Sequence, residues 1–263
     1  ILWGWLISPP QKNTWHLQDL LLYLLTESYN HKELYLYQNI FFDIRKMKMH
    51  VWDDLKGHLE IPFRKYAYVK DSNGQHVSLY GDRLKRVTQY DKDDPTLHES
   101  DIPPMTRFLV DQYGDSDEAS TGHRTMFFDI EVEVTEGFPD VQKAQNPITS
   151  IALYDCTTET YFTYCFDPHK RIEDYTKGDE VVEFYETEYE MLNKFFQKYL
   201  EIRPTILSGW NSEFFDIPYL YNRAVRVLGP ELANLLSPIS QVIYSEYKKK
   251  HTIAGVSSLD YLQ

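Results

Sequence analysis

Cysteine is nearly absent: Cys156 and Cys165 are the two in 263 residues, and no Cys-x-x-Cys occurs. That excludes a disulfide-built secreted scaffold and a thiolate zinc site, and it fits a reducing cytoplasm. The two thiols could face each other across a hairpin, but a plain pair of buried thiols is the simpler expectation. Long apolar runs are missing as well. None reaches the roughly 18 residues that a membrane-spanning helix requires, so no membrane partner is expected. The apolar opening, Ile1 to Ile7, lacks the basic flank of a secretory signal. The chain starts with Ile rather than Met, as a fragment would. Positive charge is also short, with 27 Lys and Arg against 40 Asp and Glu and a net charge of -13. A broad basic surface that wraps duplex DNA is thereby excluded. A nuclease is not, because its acidic residues hold metal and its DNA contacts can lie elsewhere.

What the chain does contain is ample core material, 42% hydrophobic and rich in aromatics, with 21 Tyr, 14 Phe and 5 Trp. Such side chains suit strand-rich cores, and some could stack on bases. Residues 1–33 stay unassigned; Leu17 to Leu25 could form a short helix, apolar almost all round, or belong to extraneous upstream sequence. From Leu34 the texture is strand-rich. Leu34 to Phe42 and Met47 to Trp52 are predicted strands. Tyr66 to Lys70 and Gln75 to Tyr80 are predicted to pair as a hairpin about Asn73-Gly74, where tight turns want positive φ. Gly81 to Val87 reads as a short helix or a basic strand, with Arg83, Lys85 and Arg86 on a solvated face. Asp91 to Pro104 and Gly114 to Gly122 are polar linkers. The domain boundary is placed within Asp111 to His123, giving a strand-rich α+β domain over 34–122 and a second domain over 123–263.

Thr125 to Val134 is the predicted strand on which the second domain hangs. Alternation sends Asp129 and Glu131 to one face and Met126, Phe128, Ile130, Val132 and Val134 to the face to bury. Two carboxylates side by side repel, and burial raises the pKa of at least one. A divalent cation removes both problems, since hard oxygen ligands suit Mg²⁺ or Mn²⁺. A merely acidic solvent face, continued by Glu133, explains this stretch equally well.

Ile148 to Tyr154 and Thr160 to Phe166 are predicted strands joined as a hairpin, followed by a polar loop from Asp167 to Glu180. Thr187-Glu-Tyr-Glu190 is a capping box that opens a helix with the stripe Tyr189, Leu192, Phe196, Tyr199. Pro204 closes that helix. Thr205 to Ser208 is a short strand, and a second helix is predicted from Pro218 to Leu228 with Gly229 after it. The order is α/β, a mixed sheet with flanking helices. Between that strand and the second helix lies Ser208-Gly-Trp-Asn-Ser-Glu-Phe-Phe-Asp-Ile-Pro218. Asp216 there could serve as a capping residue alone, and Asn211 as a turn residue alone. Coming at a strand-to-helix turn roughly eighty residues after Asp-x-Glu, Asp216 is also a plausible third carboxylate beside the first two.

These two stretches resemble the first two exonuclease motifs of family B DNA polymerases: Phe128-Asp-Ile-Glu131, and Asn211-Ser-Glu-Phe-Phe-Asp216 preceded by Ser208-Gly-Trp210. The flanking Ile-Pro-Tyr-Leu-Tyr-Asn-Arg, Leu-Ser-Pro-Ile and Gly-Val-Ser-Ser-Leu-Asp-Tyr-Leu are similar to the replicative polymerases of T-even-type bacteriophages, as are Tyr66 to Tyr80 and Lys85 to Val87. The resemblance covers about Leu34 to Gln263. It implies a ribonuclease H-like exonuclease fold in which Asp129, Glu131 and Asp216 bind two divalent ions, Mg²⁺ or Mn²⁺, and act as the catalytic acids. Glu131 would orient the water, Asp129 would bridge the ions, and Asn211 and Phe215 would lie against the primer terminus. It further implies as partners a single-stranded primer 3′ end, primer-template DNA and, through other regions, a sliding clamp and further replisome proteins in the host cytoplasm.

The family's third exonuclease motif, Tyr-x-x-x-Asp, is not found in the 47 residues after Asp216. Tyr113-Gly-Asp-Ser-Asp117 has the spacing but precedes the first motif, and Asp260 is followed rather than preceded by its tyrosine. The palm motifs of the polymerase are absent too. The expectation is therefore the front end of a DNA polymerase, cut inside its 3′→5′ proofreading exonuclease domain, with weak activity by itself. A free-standing exonuclease of the same fold, or a non-catalytic nucleic-acid-binding module, are the alternatives.

Overall fold

Residues 36–135 and 137–262 are described by the structure, a computed structural model. The helix expected at Leu17 to Leu25 lies outside them. The described residues cluster as one compact unit, with a small and a large hydrophobic core.

The small core belongs to an antiparallel sheet of β1 (Tyr37–Asp43), β2 (Lys48–Asp53) and β3 (Gly57–Pro62). Met49 and Val51 are fully buried there against Phe63 and Phe108. Phe108 comes from α1 (Pro104–Tyr113), a helix not foreseen in the polar stretch around it, though its first residue is a proline, as helix starts favour. Beside this sheet, β4 (Ala67–Lys70), β5 (His76–Val77) and β6 (Arg83–Val87) stand in the order β4-β6-β5. The expected hairpin is therefore corrected: both strands pair with β6 and not with each other. The turn between them is made by Asp71, whose side chain accepts from Asn73 N at 2.8 Å and whose carbonyl accepts from Gly74 N at 2.8 Å. Neither Asn73 nor Gly74 adopts positive φ. Gly74 is needed for another reason, since a Cβ there would collide with the Leu84 backbone of β6. The basic strand is the correct one of the two readings for 81–87. Arg83, Lys85 and Arg86 are exposed on it, with Arg86 over the Tyr66 ring at 3.8 Å.

The large core lies on one face of a seven-stranded mixed sheet. Its strands are β7 (Thr125–Val132), β8 (Ile148–Asp155), β9 (Thr160–Phe166), β10 (Tyr175–Lys177), β11 (Glu180–Tyr185), β12 (Ile206–Gly209) and β15 (Ser257–Asp260). The order is β10-β11-β9-β8-β7-β12-β15. β7, β8 and β9 form an antiparallel meander that contains the expected β8–β9 hairpin, while β12 runs parallel to β7 and β15 parallel to β12. The loop expected over 167–180 contains a strand. β10 is three exposed residues long, too short and too polar to show any period, and it pairs with β11, which runs parallel to β9.

Strand β7 ends two residues earlier than its composition suggests. Its register on β8 shifts between Glu131 and Val132, and Val134 is 65% exposed rather than in the core. Helix α2 (Glu188–Ile202) starts as expected, with Thr187 Oγ1 accepting from Glu190 N at 3.2 Å. Its buried stripe is Met191, Leu192, Phe195, Phe196, Tyr199 and Ile202; Tyr189, assigned to that stripe, is 54% exposed. Helix α3 (Asp216–Val227) begins two residues before Pro218, and α4 (Pro230–Ala233) follows it. A hairpin of β13 (Val242–Ser245) and β14 (Lys250–Ile253) then leads into β15. Cys156 and Cys165 are free and half-buried, not the buried pair anticipated. Among the described residues, no helix is long and apolar enough to cross a membrane.

One buried ion pair braces the large core. Glu188, the first residue of α2, accepts from Arg223 Nε of α3 at 2.8 Å, from a terminal guanidinium nitrogen at 2.6 Å, and from Ile148 N of β8 at 2.8 Å. Another bond from Arg223 reaches Gln145 O at 2.7 Å. Two helices, a strand and a loop thus share one charge pair. Arg223→Ala leaves the Glu188 carboxylate buried without its cation, and the expected cost is about 3–5 kcal/mol. Urea unfolding followed by circular dichroism measures it; a loss below about 1 kcal/mol would show the pair to be dispensable.

Candidate active site

Strand β7 runs past the end of its neighbour, and this creates the site. β12 pairs with Thr125, Met126 and Phe127 and then stops. Beyond that point the β7 edge has backbone groups that no strand satisfies. The carboxylate of Asp216 takes one of them, with Oδ1 accepting from Ile130 N at 3.0 Å. Ile130 lies between Asp129 and Glu131, so the bond sets the third acid against the segment that carries the other two. Asp129 and Glu131 are exposed on one face of β7, while Met126, Phe128 and Ile130 are buried on the other, as alternation requires.

The turn that delivers Asp216 is built for close approach. Gly209 ends β12 where a Cβ would lie 2.7 Å from Phe128 O, so only glycine lets the two backbones meet there. Asn211 holds φ 58°, a left-handed conformation that asparagine tolerates better than most residues. Its carbonyl accepts from Phe214 N and Phe215 N at 3.2 and 3.0 Å. Asp260, at the end of β15, locks the turn from the other side. Its two oxygens accept from Asn211 N and Glu213 N, both at 2.9 Å. Burial pushes its carboxyl up, but bonds from the N–H groups of Leu262, Glu213 and Asn211 outweigh that and hold it below the usual range. Asp260 therefore works as a structural anion. Glu213 is buried beneath the same turn and pairs with Lys250 of β14.

Asp216 does not cap α3 with its side chain, contrary to its reading as a simple capping residue. It is the first helical residue, and its carboxylate is spent on β7 instead. The acid is 3% exposed. Burial raises its pKa to about 7, the charges of Asp129 and Asp260 push it the same way, and the Ile130 N–H opposes them. The raised value reflects carboxylates brought near one another in a buried place. Among the described residues, Asp129, Glu131 and Asp216 are not drawn so close that three of their oxygens lie within 4.8 Å of one another. The donor set, three hard oxygens with one destabilised by its neighbours, fits a divalent cation.

The strand and the turn that carry the acids also carry aromatic rings. Phe215 meets Phe138 of the β7–β8 loop with centroids 5.3 Å apart, and Phe138 is 81% exposed. On the far side Phe127, on the same face of β7 as Asp129, stacks with Tyr261 at 6.0 Å. Trp210 and Phe214 are exposed in the turn. Phe138, Tyr261 and Lys250 were not singled out in the sequence, because nothing in their local spacing ties them to Asp-x-Glu. Tyr113 and Asp117, rejected as a third motif, line a different cavity of about 690 Å³ between α1 and β1.

Comparison with known proteins agrees with the motif reading. The family described as DNA polymerase family B, exonuclease domain, matches residues 109–263, more than half of the chain. The DNA-directed DNA polymerase of Escherichia phage RB69 is 33% identical over 168 residues, covering 53% of this chain and 18% of the relative. The DNA-directed DNA polymerase of Enterobacteria phage T4 is 33% identical over 162 residues, covering 50% of this chain and 18% of the relative. DNA polymerase 1 of Sulfurisphaera ohwakuensis is 30% identical over 133 residues, covering 50% and 13%. The chain spans less than a fifth of the length of these relatives.

The raised pKa of Asp216 has a consequence for stability. Between the ordinary carboxylate range and about 7 the folded state holds a proton that the unfolded chain has released. Stability from this group is complete below the unfolded pKa and is lost as pH rises through about 7. Asp216→Asn should flatten that decline and gain about 1–3 kcal/mol over the parent at pH 8 in EDTA. Thermal melts at pH 5, 6, 7 and 8 measure it; an equally steep decline in the variant would refute the assignment.

Proposed function

Because the chain belongs to the family B DNA polymerase exonuclease domains, we propose that it is the front part of a DNA-directed DNA polymerase active in replication, and that its acids carry out 3′→5′ proofreading. The observation that supports this best is the bond from Ile130 N to Asp216 Oδ1, which sets the third acid against the segment bearing Asp129 and Glu131. The sheet order β9-β8-β7-β12-β15, three antiparallel strands followed by two parallel ones, suits a ribonuclease H-like fold. In this reading residues 34–122 form the polymerase's N-terminal domain and residues 123–263 the exonuclease.

The substrate is a single-stranded primer 3′ end, reached from primer-template DNA when the terminus frays. Asp129, Glu131 and Asp216 would hold Mg²⁺ or Mn²⁺, two ions in the complete site. When bound, such ions lower the pKa of water and neutralise the departing 3′ oxygen. The chain's own groups do the rest. Glu131, exposed beside Asp129, orients the attacking water. Water oxygen bonds to phosphorus and gives up a proton to solvent, the bond to the 3′ oxygen breaks and that oxygen takes a proton from solvent, and a deoxynucleoside 5′-monophosphate leaves. Phe215, backed by Phe138, offers a stacking surface to the terminal base, and Asn211 lies beside it in the turn. A sliding clamp and other replisome proteins would engage elsewhere in the polymerase, in the cytoplasm.

Digestion of a 5′-labelled single-stranded oligonucleotide by the complete polymerase tests this reading. Activity should require Mg²⁺ or Mn²⁺, be abolished by EDTA, and fall at least about 100-fold in Asp129→Ala. Phe215→Ala should weaken binding of the 3′ end by about 1–3 kcal/mol per lost stack. Degradation at an unchanged rate in Asp129→Ala would reject the site.

A further inference from the structure

A second cluster of ligand-type side chains lies far from these acids in sequence, on the β2–β3 hairpin. His50 and Glu60 are register partners across the two strands, and Trp52 faces His58 one step along. Alternation puts all four on one face, while Met49, Val51, Leu59 and Ile61 point to the other. His50 is 1% exposed, and its Nε2 is buried without a hydrogen-bond partner among the described residues. His58 and Glu60 are exposed. The ring nitrogens His50 Nδ1 and His58 Nε2 are 2.9 Å apart, in rings parallel to within 5°. Trp52 flanks the pair, its ring centroid 4.8 Å from that of His58. One atom each from His50, His58 and Glu60 lies within 4.8 Å of the other two.

Two imidazole nitrogens this close must share something. A single proton can join them; a metal ion would join them and draw in the Glu60 carboxylate opposite as well. We propose that His50 Nδ1, His58 Nε2 and a Glu60 carboxylate oxygen form a site for a divalent transition-metal ion of the zinc class. Two histidines and a glutamate are a recognised zinc donor set that leaves one position open. Imidazole nitrogen also favours zinc-like ions over Mg²⁺, which keeps this site chemically distinct from the carboxylate site. With Zn–N bonds of about 2.0–2.1 Å, a tetrahedral pair of nitrogens sits roughly 3.3 Å apart. With centroids 5.2 Å and nitrogens 2.9 Å apart the rings meet head-on, so on binding they part by about 0.4 Å and swing off that line, a movement the exposed His58 supplies.

Two further features shape the site. Lys48 Nζ bonds Glu60 Oε2 at 2.7 Å, so an internal cation already neutralises the carboxylate and competes with any metal. Trp52 also carries the contact to the C-terminal part of the chain. A Cβ on Gly255 would lie 2.5 Å from Trp52 Cζ2, and Asn39 of β1 donates to Ser257 Oγ at 3.0 Å nearby. A bound ion would pin the β2–β3 hairpin beside this junction and stabilise the folded chain.

Titration of the full chain with Co²⁺, followed by visible absorption, and with Zn²⁺, followed by calorimetry, tests the proposal. The expected result is one nitrogen-coordinated Co²⁺ per chain, displaced by Zn²⁺, with a rise in melting temperature. His58→Gln, at an exposed position that leaves the core intact, should weaken binding at least tenfold. Lys48→Ala should tighten it several-fold, an effect that a hydrogen-bonded histidine pair does not predict. Asp129→Ala should leave the absorption bands unchanged. Absence of saturable Co²⁺ bands, or binding indifferent to His58→Gln or to Lys48→Ala, would overturn the site.

Discussion

A strand that outruns its neighbour leaves a backbone N–H to be satisfied by something other than a strand, and in this protein Asp216 satisfies it. The bond to Ile130 is short in reach and large in effect. It joins the start of α3 to the middle of β7 across 86 positions of sequence. It also fixes where the third carboxylate can be, and so how much charge collects there. A buried polar group left unmade is costly, so fold stability and site geometry depend on the same contact. Burial then raises the acid's pKa, and the site becomes one that a cation would stabilise.

The surrounding structure preserves that contact. Gly209 permits the approach of β12 to Phe128, Asn211 accepts the left-handed turn, and Asp260 ties the turn down through two backbone N–H groups. On the opposite side, Arg223 holds the β7–β8 loop through the carbonyls of Ala144 and Gln145 while it pairs with Glu188. That loop carries Phe138 to Phe215. The aromatic surface beside the acids is thus held by a buried ion pair in the core, not by contacts among the rings alone.

The two candidate ion sites differ by the donors that each sheet presents. On β7 the exposed face offers carboxylates, whose hard oxygens and mutual repulsion suit Mg²⁺ or Mn²⁺. On β2 and β3 the face offers imidazoles, whose nitrogens suit zinc-like ions. Register decides both: Asp129 and Glu131 are separated by one residue on a single strand, whereas His50 and Glu60 meet across a pair of strands.

The sequence by itself determined the local features. The apolar alternation of β7, the Thr187 cap, and the Asp-x-Glu and Asn-x-x-x-Phe-Asp motifs are written in spacings of two to five residues within one element or turn, and the β8–β9 hairpin joins two neighbouring strands. Pairings between distant segments were not legible. The strand order β4-β6-β5 replaced an apparent hairpin, because both strands pair with β6, a later segment that local spacing does not tie to them. β10 was hidden by its length, and Tyr189 by a helical stripe that turned about one residue further toward Met191 and Phe195. The service of Asp260 to the Asn211 turn, of Phe138 to Phe215, and of His50 to His58 likewise came only with the tertiary structure. Short-range periodicity records which face of an element is apolar; which groups then meet depends on sheet order and strand length, which only the folded chain decides.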